Sequence, residues 1–280
     1  MGFPVSVELL MTNGWTLLPL LTEEHKVIEH VFQTAHCFFE SREEEKIPFS
    51  LAGQLNGWRD LGVEFSDSPD RPDLNEAFGL VDRNRASMAA LGWIESNPLH
   101  AALLDALTLI KPMVDSLFDE LRLILSPDGD RLNASDWSYL QVNYYRPADE
   151  RRNLLQDAHE DGHLVTVLTA NQPGLEIEVE GKFQPAPSDG NSLLVMPGSI
   201  LTRMTGGLIA PLRHRVCRLA ETKSRLSLMY FVNPSLDTPP SAWLADANGN
   251  LADIREAVIA TSTAFGLPAL DRAATLSEVP

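Results

Sequence analysis

Cysteine is nearly absent from this chain: two in 280 residues, Cys37 and Cys217, far apart and without Cys-x-x-Cys spacing. That excludes a disulfide framework and suits a reducing cytoplasm, the location expected here. Cations are scarce as well. Lys and Arg number 22 against 39 Asp and Glu, for a net charge of −17 and a pI near 4.7. Phosphate binding draws on clustered Lys and Arg, so no nucleic-acid partner is expected, and the acidity bears on solubility more than on fold. No stretch reaches the roughly 18 apolar residues that a bilayer span needs, and the N-terminus lacks the charged-then-apolar layout of a secretory leader. No membrane partner is expected. Met1-Gly2 with Ser6 matches a myristoylation pattern only formally, because Phe3 and Pro4 fit it poorly, and the Asn133-Ala134-Ser135 sequon is read as a chance match.

What remains is ordinary globular material, 44% hydrophobic and 22% charged, enough to bury a sizeable core. There is no internal repeat or low-complexity run, so residues 1–280 are read as one domain. Its three parts are a helical and loop-rich N-terminal region (1–134), a β core (135–234) and a C-terminal helical extension (235–280). In the first, Thr22 as cap, acidic Glu23 and Glu24, and Val27, Ile28, Val31 and Phe32 at helical spacing predict a helix over 22–46. Gly, Asp, Ser and Pro from Ser50 to about Asn75 predict a long irregular loop. Leu103, Leu104, Leu107, Ile110, Val114, Leu117, Phe118 and Leu121 share one face of a helix over 99–125, with a kink expected at Pro112. From Ser135 the period changes to two, as in Trp137, Tyr139, Gln141, Asn143 and in Leu175, Ile177, Val179. Turns at Gly174, Gly181, Asp189-Gly190 and Gly206-Gly207 separate such runs. The expected architecture is mainly β with flanking helices, its core an antiparallel jelly roll, closed by a last helix over 251–265.

Two imidazoles and a carboxylate stand out within that core. His159 and Asp161 are two apart, so on a strand they reach the same face; 52 residues (162–213) separate Asp161 from His214. Such a set can hold non-haem Fe(II) on one face and leave the other open. Eleven residues beyond His214 come Arg225 and Ser227, again two apart. Taken alone, these residues also fit a strand-end histidine, a surface acid, a packed core histidine and a surface arginine paired with Glu221 or Asp237.

The order of motifs is more specific. His159-Glu160-Asp161 runs into Leu164-Val165-Thr166-Val167-Leu168, followed by Gly174-Leu175, Gly181-Lys182, Pro197-Gly198, Thr205-Gly206-Gly207, His214-Arg215-Val216 and Arg225-x-Ser227. Upstream stand Asn143-Tyr144-Tyr145, Asn13-Gly14-Trp15, Phe38-Phe39 with Glu44 to Lys46, Gly57-Trp58 and Asn75-Glu76-Ala77-Phe78. This series resembles the isopenicillin N synthase-like branch of the Fe(II)- and 2-oxoglutarate-dependent oxygenases, over nearly the whole chain. The resemblance implies a double-stranded β-helix fold. It implies iron ligation, and with it catalysis, by His159, Asp161 and His214, and binding of 2-oxoglutarate by Arg225, Ser227, Asn143 and Tyr145. It implies oxidation of a small molecule with dioxygen through a ferryl intermediate, by hydroxylation, desaturation or ring formation, in secondary metabolism. The Asp161 carboxylate counts against a halogenase of the family.

The family's opening strand is missing or reduced to Phe3-Pro4-Val5, Arg146 intervenes before Pro147, and the segment between His214 and Arg225 is longer than is common. None of these touches a proposed ligand. Candidates for the substrate pocket are His163, Arg203, Leu55, Trp58, Arg59, Tyr230 and Phe231, with 50–75 and 235–250 as a lid. His163 shares the face of His159 and Asp161 if the strand continues. Arg203, if turned inward, would need an anionic partner; outward exposure is its default. Two other readings stay open: an oxidase like isopenicillin N synthase itself, which does not use 2-oxoglutarate, and a non-catalytic jelly-roll binding protein. A monomer or weak homodimer is expected.

Overall fold

A computed structural model describes residues 4–146, 152–218, 224–262 and 269–274. The chain opens with α1 (Pro4–Asn13), β1 (Thr16–Pro19) and α2 (Thr22–Phe39), then α3 (Glu43–Lys46), β2 (Gly57–Arg59) and β3 (Glu76–Val81). Three helices follow, α4 (Arg85–Ala90), α5 (Trp93–Ser96) and α6 (Pro98–Leu125). The core contains β4 (Tyr139–Tyr145), β5 (Leu154–His159), β6 (Val165–Ala170), β7 (Leu175–Val179), β8 (Lys182–Pro185) and β9 (Ser192–Pro197). It is completed by α7 (Ser199–Met204), β10 (His214–Cys217) and β11 (Arg225–Val232), and the chain continues into α8 (Ile254–Ser262) and α9 (Leu270–Ala273).

Two antiparallel sheets face each other. The larger has seven strands in the order β1-β9-β6-β11-β4-β3-β2, the smaller four in the order β5-β10-β7-β8. Non-sequential neighbours are what a jelly roll requires, and they bring β5 and β10 side by side with His214 opposite His159. Period two then sorts every strand of the large sheet. Leu226, Leu228, Tyr230 and Val232 of β11 and Leu140, Val142 and Tyr144 of β4 join one large apolar cluster with α2 and α6. The intervening residues, Arg225, Ser227, Met229 and Phe231 with Tyr139, Gln141, Asn143 and Tyr145, line the space between the sheets.

Helix α6 shows why these segments are helical. Asn97 Oδ1 accepts from the Leu99 amide at 3.0 Å, Pro98 sits in the first turn, and the stripe Leu103, Leu107, Ile110, Val114, Leu117, Phe118, Leu121 is buried. Leu104 is only partly buried, and the helix runs through Pro112. Burying seven such side chains at about 2 kcal/mol each anchors α6 in the apolar cluster it shares with α2 and the large sheet.

Several elements differ from the sequence expectation. The helix over 22–46 divides into α2 and α3, and Thr22 is its first residue rather than its cap: Glu24 turns back to accept from the Leu21 amide at 2.7 Å. Around Phe3-Pro4-Val5 the chain forms helix α1 from Pro4 onward, and the edge strand is β1. Three N-terminal strands, β1, β2 and β3, complete the large sheet, so 1–134 contributes more than helices and loops. The stretch 50–75 contains β2, and Leu74 donates to the Leu155 carbonyl at 2.8 Å, laying this loop along the free edge of β5. Within the β core, residues 199–204 form a short helix, α7. The last helix is described only to Ser262; 263–265, Pro147 and 219–223, Glu221 among them, lie outside the described residues.

Candidate functional site

His159 ends β5, His214 begins β10, and Asp161 lies in the turn after β5. Their ligating atoms lie within 4.8 Å of one another, and all three residues are buried. Asp161 Oδ1 is 3.4 Å from His159 Nε2 and 3.8 Å from His214 Nε2. Each imidazole is aimed from behind: His159 Nδ1 is 2.8 Å from the Asp157 carbonyl and His214 Nδ1 is 3.0 Å from the Leu212 carbonyl. With Nδ1–H donating to a carbonyl, each ring directs an Nε2 lone pair toward Asp161. Thr166 Oγ1 donates to Asp161 Oδ2, holding the carboxylate so that Oδ1 faces the histidines.

The loop carrying Asp161 is held tightly. The Ser199 amide donates to the Asp161 carbonyl at 2.9 Å and the Ile200 amide to the His163 carbonyl at 3.1 Å. That approach needs Gly198, since a Cβ there would lie 2.3 Å from the His163 oxygen. Gly162 is likewise required by α8, because its Cβ would come within 2.9 Å of Thr261 Cβ.

Electrostatics match the geometry. Burial penalises every charge here, and it holds His214 and His163 below their ordinary range. Burial also opposes the Asp161 carboxylate, but the flanking His214 and His159 outweigh it and keep the acid far below the usual carboxylate range. The same partnership raises His159 against its own burial. Buried carboxylate and imidazoles thus stabilise positive charge at this point, where a divalent cation can take the proton's place.

A cavity opens from these three residues between the sheets. Arg225 also lines it, 4% exposed, its Nε donating to the Pro173 carbonyl at 3.1 Å. Its Nη1 and Nη2 are buried with no hydrogen-bond acceptor among the described residues. The guanidinium carbon lies 5.2 Å from the centre of the Tyr145 ring, and Ser227 and Asn143 line the same region. A buried guanidinium with an unsatisfied fork is costly unless an anion completes it, and a carboxylate has the matching shape. Strand register produces this grouping directly, because Arg225 lies opposite Tyr145 and Ser227 opposite Asn143.

A polar chain runs along the cavity wall. Arg59 donates from Nε to Glu64 at 2.6 Å and from Nη2 to Gln141 Oε1 at 2.7 Å. Gln141 Nε2 donates to Glu64 at 3.0 Å and to Asn143 Oδ1 at 2.8 Å, and Asn143 Nδ2 to the Tyr145 hydroxyl at 3.4 Å. Beside it, Asp73 accepts from Ser66 Oγ at 2.7 Å through Oδ2 and lines the cavity; burial pushes its carboxyl up to about 6.

Of the substrate candidates, His163, Leu55 and Phe231 line the cavity. His163 is fully engaged: Nδ1 lies 3.0 Å from Asn233 Oδ1, Nε2 lies 3.4 Å from the Tyr139 hydroxyl, and its ring packs on Phe231 at 4.7 Å. Since Asn233 spends its amide on the Trp137 carbonyl, its Oδ1 accepts, which places the His163 proton on Nδ1. The other four do not line the cavity. Tyr230 has the opposite parity to Phe231 and is buried in the helical cluster. Trp58 turns to Glu76, donating at 2.9 Å. Arg59 is held by Glu64, Gln141 and the Leu55 carbonyl. Arg203 is exposed near the end of α7, the outward default. Within 235–250, no residue lines the cavity; its C-terminal lining is Thr261 and Leu270. Asp237 is taken by Trp137 Nε1 at 3.1 Å and does not pair with Arg225.

Sequence reasoning missed Glu64, Phe65, Asp73, Thr166, Thr261 and Leu270 in the lining. Thr166 was part of the quoted motif and carried no assigned role. Gln141 lay in the same period-two row as Asn143 and Tyr145. The others come from a loop and a C-terminal segment whose placement no local pattern encodes.

Comparison with known proteins bears on the same region. Residues 137–234 match the family model of the 2OG-Fe(II) oxygenase superfamily. A gibberellin 2-beta-dioxygenase of Phaseolus coccineus is 37% identical over 107 residues, covering 35% of this chain and 32% of that protein. A gibberellin 2-beta-dioxygenase of Arabidopsis thaliana is 32% identical over 145 residues, or 45% of this chain and 43% of that protein. The matches therefore span about a third to two-fifths of these relatives. Among solved structures, an oxygenase from Shewanella oneidensis superposes with a TM-score of 0.65 at 25% identity, covering 82% of this chain and 86% of that one. A Caulobacter crescentus 2OG-Fe(II) oxygenase family protein, at 21% identity, shares the fold with a TM-score of 0.70 over 91% of this chain and 92% of its own. The strand order, the His-Asp-His cluster and these matches agree: residues 137–234 match the 2OG-Fe(II) oxygenase superfamily, and the chain shares the fold of solved structures of that kind.

Proposed function

We propose that the protein is an Fe(II)- and 2-oxoglutarate-dependent oxygenase that oxidises a small molecule. The observation that carries the reading is the pairing of two features in one cavity. At one point two imidazole Nε2 atoms and a carboxylate oxygen converge, and the same cavity holds a buried arginine whose two Nη atoms lack acceptors among the described residues. In this reading His159, Asp161 and His214 hold the metal from one side. Arg225 takes the distal carboxylate of 2-oxoglutarate bidentately, with Ser227 adding a hydroxyl and Asn143 and Tyr145 bordering the co-substrate.

Iron with its keto-acid partner supplies the oxygen activation and the hydrogen abstraction. The chain's own contribution is placement and shelter. The Asp157 and Leu212 carbonyls keep both histidines in the tautomer that offers Nε2, and Thr166 keeps Asp161 from rotating away. Leu55, Phe65, Phe231 and Leu270 present apolar surface at the cavity and exclude water from the reacting atoms. We place the enzyme in the cytoplasm, as a monomer or weak homodimer; its two free cysteines suit a reducing compartment.

The test is anaerobic visible absorption of the purified protein with Fe(II), then with 2-oxoglutarate, beside Arg225→Ala. A weak band that needs both additions and is lost in the variant is the expected result. Iron binding with no such band would favour an oxidase that dispenses with 2-oxoglutarate, and absence of iron binding would defeat the enzymatic reading.

A further inference from the structure

The charges facing the cavity do not balance, and the imbalance describes the substrate. Among the described residues that line it, Arg225 is the single Lys or Arg, and the carboxylates are Asp161, Glu64 and Asp73. On the proposed reading, on which this inference rests, Asp161 is committed to the metal and Arg225 to 2-oxoglutarate. Glu64 is neutralised where it stands, because Arg59 donates to it at 2.6 Å and Gln141 at 3.0 Å. Asp73 is different. It is 3% exposed, its Oδ2 takes one hydrogen bond from Ser66, and its Oδ1 is buried without a partner. No ion pair reaches it among the described residues. The backbone fixes its position, since its amide donates to the Glu64 carbonyl at 2.9 Å and the next amide, Leu74, bonds to Leu155 on β5.

A buried, unsatisfied carboxylate oxygen at the cavity wall is costly unless a bound molecule supplies a donor. We propose that Asp73 is a specificity-determining residue that receives an N–H or O–H group of the substrate, so that the cavity selects donor-bearing molecules, above all amines, and rejects those with a second carboxylate. With Arg225 occupied, no lining cation remains to receive another anion, and Asp73 repels it. Leu55, Phe65, Phe231 and Leu270 then accept the apolar body of the same molecule.

The probes are matched aryl-alkyl compounds on one skeleton: 2-phenylethylamine, 2-phenylethanol and phenylacetate. Binding is measured by calorimetry to protein loaded with Mn(II), a redox-inert stand-in for iron, and 2-oxoglutarate, for wild type and Asp73→Asn. The amine is expected to bind at least tenfold more tightly than phenylacetate, with the alcohol between them. Asp73→Asn should remove most of that preference while leaving 2-oxoglutarate affinity within about twofold, which also reports that the variant is folded. Equal or tighter binding of phenylacetate, binding of no probe, or an unchanged preference in Asp73→Asn overturns the proposal. A variant that loses 2-oxoglutarate affinity instead would assign Asp73 to the co-substrate. Failure of the wild type to bind 2-oxoglutarate at all would strike the proposed function rather than this residue.

Discussion

His100 provides a direct test of how this core tolerates a titratable group. It lies in the first turn of α6, 1% exposed, edge-on to Trp93 at 5.9 Å, and neither ring nitrogen has a hydrogen-bond partner. Burial pushes its pKa down from 6.5 to about 4. Between those values the unfolded chain binds a proton that the folded chain refuses. The His100 contribution is therefore intact above 6.5 and is lost as pH falls toward 4. At about 1.4 kcal/mol per pH unit the full penalty is about 3 kcal/mol, of which about 2 kcal/mol is reached near pH 5. Asp73 acts with the opposite sign in the same window. Its carboxyl is raised from 3.8 to about 6, so the folded chain keeps a proton there and loses that contribution as pH rises through the interval. The raw pH dependence of stability thus mixes opposing slopes, to which the buried His163 and His214 add their own. The difference between wild type and His100→Leu isolates one of them. Urea unfolding of both proteins near pH 8 and pH 5 is the assay. His100→Leu should gain about 2 kcal/mol relative to wild type on going to the acid condition, whatever its offset near pH 8. A difference between the two proteins that does not change with pH would refute the burial argument.

Other outcomes follow from the same structure. Thr166→Val removes the hydrogen bond that orients Asp161 and should weaken Fe(II) binding by about 10-fold or more, measured by metal titration, with little change in melting temperature. Arg225→Lys keeps the charge but loses the fork, and should raise the Kd for 2-oxoglutarate by at least about tenfold while leaving metal affinity unchanged, since the guanidinium contributes no ligand to the His-Asp-His cluster. Gly198→Ala drives a Cβ against the His163 carbonyl, a backbone atom that cannot turn aside, and should cost about 1–3 kcal/mol in urea unfolding and loosen metal binding with it. Phe118→Ala, fully buried in the α6 stripe, should cost about 3–5 kcal/mol by the same assay without altering the metal site directly.

How much of this was legible beforehand depends on the range of the signal. The α6 stripe, the alternation of Tyr139, Gln141, Asn143 and Tyr145, and the i, i+2 pairs His159/Asp161 and Arg225/Ser227 are local periodicities. Local geometry turns such patterns into faces, so the chain written out already indicates an antiparallel β core with a helix behind it. It also contains the residue types a metal and a carboxylate would need. The jelly-roll crossover that seats His214 opposite His159 was expected from fold class and resemblance, not from any contact readable along the chain. Tyr230 illustrates the limit. It sits beside Phe231, but parity on β11 sends the two to opposite faces, and only the pairing with β4 and β6 decides which face meets the cavity. Arg59 was placed by Glu64, five positions on, and by Gln141, 82 positions away and beyond any local window. Asp73, unremarkable in a loop of Pro, Asp and Ser, becomes a buried unpaired carboxylate because Leu74 bonds along the edge of β5. Spacing along a chain determines which side chains can share a face; which faces meet, and which charges are left without partners, is settled by long-range packing.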